Sequence, residues 1–178
     1  MRLRATLMSK RLKGFTLLEV MVVLVITGIT LAAAVPAFQS MTQRNRLATE
    51  TNDLLLAINL ARSEALRTGS TASVQAINVS GTANEFGNGY CVVDGTPGNC
   101  TNALRKFDAL TSGDTLNSLD DLTVLEFNSL GGLANSTNDT KLDLCNTSHD
   151  GRRIVITLVG RSKSHDSSDP VTANQPSC

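Results

Sequence analysis

The chain has 178 residues, with 16 basic and 16 acidic side chains and a formal net charge of zero. That length accommodates one domain and an anchor rather than two independent domains. With no Trp, one Tyr and five Phe, it offers few flat side chains for base stacking, and it lacks the surplus of cations expected of a polyanion-binding domain.

Charge is distributed unevenly along the chain. Residues 1–14 carry Arg2, Arg4, Lys10, Arg11 and Lys13 and no acid, which leaves 11 basic against 16 acidic side chains beyond them, a net of −5. Next comes the apolar run FTLLEVMVVLVITGITLAAAVPAF, residues 15–38. From Phe15 to Pro36 is 22 residues, about 33 Å as a helix and enough to cross a hydrocarbon core. Cations before the run and uncharged polar residues after it predict a cytoplasmic N-terminus and an exported remainder.

Glu19 interrupts the run. A charge near the middle of a bilayer costs roughly 3 kcal/mol, so such a residue normally has a partner. One reading is a secretory signal cut near the small residues Ala32, Ala33, Ala34 and Ala37, which leaves Glu19 without a role. The other is a cut between Gly14 and Phe15, before the run. Phe15 is then the new N-terminus and Glu19 the fifth mature residue, placed to pair with the terminal amine of a neighbouring subunit.

The segment Gly14-Phe15-Thr16-Leu17-Leu18-Glu19 resembles the processing signature of type IV pilins and type II secretion pseudopilins. The resemblance implies cleavage after Gly14 by a prepilin peptidase, N-methylation of Phe15, and use of Glu19 to register subunits in a filament. It also implies other major and minor pilins as partners. The protein would reside in the bacterial inner membrane, with its C-terminal domain periplasmic, before assembly into a pilus or pseudopilus.

Beyond Pro36 the helical pattern continues through residues 39–69. Apolar residues recur at Leu47, Leu54, Ile58, Ala61 and Ala65, with Arg46, Glu50, Asp53, Arg62 and Arg67 off that stripe. Gly69 is a natural terminator. One helix from Phe15 to about Thr68 is long for a globular protein, but sensible if half lies in lipid and half packs on a domain. Pro36 predicts a kink. Gly28 lies eight residues earlier, and the pilin resemblance implies that the stretch between them loosens on assembly.

Residues 70–163 read as short strands separated by turn residues: Ala72–Val79, Gly89–Val93, Leu122–Phe127, Lys141–Cys145 and Arg153–Val159, with Arg105-Lys106-Phe107 as a further candidate. Residues 164–178 read as an irregular tail. The expected fold is α+β, a long N-terminal helix packed on an antiparallel β-sheet domain. The segments LARSEALRTGS, VLEFNSLGG, LDLCN and RRIVITLVGRSK narrow the resemblance to minor pilins and pseudopilins of the GspH/FimT type, FimU-like proteins included. Residues 82–117 do not share in it.

All four cysteines lie beyond the apolar run, at 91, 100, 145 and 178. In an exported domain they predict two disulfides, with three connectivities open. Cys91–Cys100 is favoured for closing a Gly/Pro loop, and Cys145–Cys178 for tethering the tail; a C-terminal bridge is frequent in the minor pilins this chain resembles. Zinc held by Cys145, His149 and His165 is the competing reading, but it lacks a Cys-x-x-Cys pair. Asp120, Asp121, Asp139 and Asp143 lack calcium-loop spacing and read as solvated turns. No catalytic constellation appears, so neither an enzyme nor a cofactor is expected.

Arg152, Arg153, Arg161 and Lys163 cluster near the C-terminus. Gly160-Arg161-Ser162-Lys163 resembles a Gly-Arg-x-Arg element by which some FimT-like proteins bind DNA, with Lys163 in place of the second Arg. Lys keeps the charge but loses the planar fork. Three functions follow: a structural minor pilin that initiates assembly or sits at a pilus tip, a DNA-binding minor pilin, and a minor pseudopilin of a type II secretion system.

Overall fold

The computed structural model describes residues 14–79, 84–95, 97–111, 113–147 and 150–178. The basic leader before Gly14, and His149, lie outside them. The chain divides into two compact units, one ending at Thr42 and the other spanning Gln43–Cys178.

A single helix, α1, covers Leu17–Thr68 and is continuous through Pro36. Its start is fixed locally: the Thr16 hydroxyl accepts the Glu19 N–H at 3.2 Å, capping the first turn. It stops where Gly69 takes a left-handed conformation, φ +67°, with its N–H on the Ala65 carbonyl at 3.0 Å, the usual helix C-terminus.

Within the second unit, one face of α1 is buried. Leu47, Thr51, Leu54, Ala57, Ile58, Ala61 and Ala65 lie in the core, including all five residues of the apolar stripe. Alanines at 57, 61 and 65 let the sheets approach the helix closely. Among the described residues eight strands follow it: β1 (Ala72–Ala76), β2 (Tyr90–Asp94), β3 (Arg105–Phe107), β4 (Thr115–Ser118), β5 (Val124–Phe127), β6 (Thr140–Cys145), β7 (Gly151–Ile156) and β8 (Ser162–Asp166). They form two four-stranded antiparallel sheets, ordered β3-β2-β1-β5 and β4-β6-β7-β8. Val74, Tyr90, Val92, Leu125 and Phe127 from the first sheet join Leu116, Leu142, Leu144, Ile154 and Ile156 from the second in one apolar cluster with the helix. The protein is thus α+β, with one long helix packed on two antiparallel sheets.

Several boundaries differ from the sequence reading. β1 ends at Ala76 because Asn78 turns the chain with φ +51°, although residues to Val79 carry strand-like composition. β4 and β8 were not expected. β4 is held by contacts from outside its own strand: Asn84 Oδ1 accepts the Leu116 N–H at 2.9 Å and the buried Glu85 carboxylate accepts the Ser118 N–H at 2.8 Å. β8, Ser-Lys-Ser-His-Asp, contains no apolar residue and is an edge strand, so the alternation that marks a half-buried strand is missing. The irregular tail therefore begins after Asp166, not at Ser164.

Candidate assembly surface

In the first unit, no large apolar side chain from Phe15 to Met41 is buried, and α1 carries a stretch long and apolar enough to cross a membrane. The Thr27 and Thr30 hydroxyls within it are satisfied by the helix. Thr27 donates to the Val23 carbonyl at 2.7 Å, and Thr30 to those of Ile26 and Thr27. Hydroxyls bonded back in this way tolerate an apolar environment. Glu19 is exposed and lines an open apolar concavity with Phe15, Val20, Val23 and Leu24. It occupies the third helical position after the Thr16 cap, where the positive end of the helix dipole favours a carboxylate. The sequence reading missed this, although Thr-x-x-Glu before an apolar run is a legible capping signature. Gly14 is exposed, and a side chain at Gly28 would meet nothing within 4 Å, so packing within the chain does not require glycine there.

In the second unit, part of each sheet's outer face is covered by a segment ending in a disulfide. Cys91 is bonded to Cys100. The loop between them lies over β1, where the Gln75 amide donates to the Gly98 carbonyl and accepts its N–H, both at 3.0 Å. Cys145 is bonded to Cys178, and the tail crosses the outer face of the second sheet. Beneath it a buried ion pair joins β6 to β7, with Arg153 Nε and Nη2 donating to the two Asp143 oxygens at 2.7 and 2.6 Å. Both residues then hold the tail: Arg153 donates to the Ala173 carbonyl and the Ser177 hydroxyl, and Asp143 accepts the Ser177 N–H. Gly151 is required for this crossing, because a Cβ there would lie 2.0 Å from Cys178 Sγ. His165 binds Asp169 at 2.5 Å, which holds the Asp169 carboxyl below its ordinary pKa.

This arrangement bears on three of the sequence readings. Asp143 is a buried strand residue, not part of a solvated turn. Cys145 sulfur is spent in a disulfide, so the zinc set loses its thiolate ligand. Arg153 is 5% exposed and neutralised, so it leaves the basic cluster. Arg152, one residue earlier, points to the opposite face, beside its cross-strand neighbour Asp166. Of the four clustered cations only Arg161 and Lys163 are exposed on the outer face, where Arg153 is covered by the tail. Lys141 joins them through the register Lys141–Val155–Lys163 across β6, β7 and β8, a neighbour that linear spacing does not reveal.

Removing the Cys145–Cys178 bridge by Cys178→Ser frees a loop of sequence separation 33, and the expected loss is about 3 kcal/mol. Thermal unfolding of the oxidised wild type against the variant checks it. Loss of the Cys91–Cys100 bridge, which closes a shorter loop, has the smaller effect.

A capped apolar helix that continues into a disulfide-stapled two-sheet domain is the architecture of a pilin-like subunit. Residues 50–160 match the family described as type II transport protein GspH, and residues 9–35 the prokaryotic N-terminal methylation motif. The chain belongs to the GspH family and is a minor pilin or pseudopilin. It is similar to the type IV minor pilin FimU of Pseudomonas aeruginosa, at 25% identity with TM-score 0.62, covering 74% of this chain and 97% of that one. A second crystal form of FimU matches at 24% identity and TM-score 0.59, covering 71% and 98%. The minor pseudopilin EpsH of the Vibrio cholerae type 2 secretion system matches at 12% identity and TM-score 0.49, covering 70% and 99%. No curated protein matches by sequence.

Proposed function

We propose that the chain is cut between Gly14 and Phe15, methylated at Phe15, and built into a type IV pilus as a minor subunit that helps start assembly or forms part of the tip. The observation that carries this reading is the likeness to FimU over nearly all of that chain, joined to a methylation motif spanning the Gly14–Phe15 bond. Before assembly the apolar half of α1 anchors the protein in the inner membrane, with the two-sheet domain on the periplasmic side. The role is structural, and the partners are other pilins and the prepilin peptidase.

Intact-mass measurement on protein from its own host tests the processing step. The expected chain begins at methylated Phe15. A chain beginning near Val35 or Phe38 would instead establish a secretory signal and remove the filament role. For the minor-pilin role, deletion of the gene is expected to lower the number of surface pili while the major subunit still accumulates in the membrane. Unchanged piliation together with lost protein secretion would favour the pseudopilin reading.

The DNA reading is weakened by the burial of Arg153 under the tail, by the placement of Arg152 on the opposite face, and by the net −5 of the chain beyond residue 14. Phosphate binding by Arg161, Lys163 and Lys141 alone would give weak affinity that falls steeply with salt.

A further inference from the structure

We propose that the free edge of β8 is a docking strand for an acidic, extended segment of another filament subunit. The phase of the β7–β8 ladder is fixed by the Thr157 N–H bond to the Arg161 carbonyl at 2.9 Å. In an antiparallel pair the bonded positions alternate. Arg161, Lys163 and His165 therefore turn their backbone groups toward β7, while Ser162 and Ser164 turn theirs outward. The Asn146 N–H on the Asp150 carbonyl, at 2.9 Å on the other side of β7, gives the same phase. Among the described residues the outward N–H and C=O groups of Ser162 and Ser164 have no partner.

Two other edges are closed by the chain itself. On β5, Ala134 N–H binds the Glu126 carbonyl, and the Asn135 side chain bridges Glu126 N–H and the Val124 carbonyl. On β4, Phe86 N–H and the Asn84 and Glu85 side chains fill the same role. β3 is only three residues long. β8 is left as an uncapped edge of five residues, and an exposed edge is a template for an added strand.

The side chains around the edge select its occupant. Arg161 and Lys163 line a groove with Val155, Thr157 and Val159, and Lys141 lies in the same cross-strand row as Lys163. None of these three cations forms an ion pair among the described residues. Alternate side chains of an added strand would sit beside Lys163 at about 5 Å between Cβ atoms, where opposite charge is favoured. On the other face Ser162 and Ser164 are small and leave room. A second copy of β8 would set Lys163 against Lys163, and β3, with Arg105 and Lys106, is no better. Like charges therefore reject self-pairing and leave a different, acidic chain as the partner. The proposal rests on the filament role above, but it is tested apart from that role, because Glu19 variants do not touch β8.

The test uses the full chain in detergent micelles and a short synthetic peptide alternating Glu with Val. Its counterpart with Lys for Glu, and duplex DNA, are the controls. The acidic peptide is expected to slow amide exchange at Ser162 and Ser164 and not along β5. Lys163→Glu is expected to weaken binding roughly tenfold or more. Ser164→Pro is expected to abolish it with both disulfides and the melting temperature retained, because the lost N–H is not a ladder bond. If Ser164→Pro fails to fold, Lys163→Glu decides alone. No binding of the acidic peptide, equal binding of the Lys peptide, or binding unchanged in these variants would overturn the proposal. DNA giving the same protection would assign the groove to a polyanion and overturn it equally.

Discussion

Glu19→Ala is expected to leave cleavage and membrane insertion intact and to reduce incorporation into sheared pili on the order of a hundredfold, if pairing recovers the roughly 3 kcal/mol cost of a carboxylate in lipid. The structure supplies a rival explanation for this residue. Glu19 sits at the third helical position after Thr16, whose hydroxyl caps its N–H at 3.2 Å, so the side chain could serve the helix end alone. Glu19→Gln separates the two roles. Glutamine keeps a capping side chain of the same shape but carries no charge. Pairing with the amine of a neighbouring subunit predicts that the Gln variant fails like the Ala variant. A purely local cap predicts that it assembles like the wild type. Comparing pilus-associated with membrane-bound protein for the three forms gives the answer, and normal incorporation of Glu19→Ala itself would remove the amine partner altogether.

The second large effect is expected beneath the tail. Arg153→Ala strands the Asp143 carboxylate, whose side chain is 3% exposed, and removes the bonds to Ala173 and Ser177. Breaking one side of a buried pair costs about 3–5 kcal/mol, because the remaining charge is left without a partner in a dry site. Asp143→Ala should cost as much, since Arg153 is then the orphan and the Ser177 N–H loses its acceptor. Replacing both by apolar residues of similar volume should restore much of the loss, because the pair's attraction is largely spent on its own desolvation. Urea unfolding of the two single variants and the double variant reads this directly. Additive losses in the double variant would show that the two residues do not act as a pair. Loosening of the tail should accompany each single variant, seen as faster amide exchange at Ser177.

The sequence alone was enough for features that rest on local chemistry or on a repeated pattern. Leu47, Leu54, Ile58, Ala61 and Ala65 recur at helical spacing, and all are buried, because a 3.6-residue period can be satisfied by only one face. Gly69 ends the helix because a left-handed residue is needed there and glycine adopts it at least cost. The apolar run from Phe15 and its interrupting carboxylate were equally plain. Tertiary structure decided whatever depends on which strands become neighbours. Lys141 and Lys163 are 22 positions apart and share a row only through the β6–β7–β8 register. Asp143 reads as one more acid in a polar stretch until that register sets it opposite Arg153. Arg152 and Arg153 are adjacent in sequence, yet a strand sends them to opposite faces, one beside Asp166 and the other under the tail. β4 and β8 are polar segments whose strand character comes from the neighbours they bond, and a short strand of that kind carries no pattern of its own.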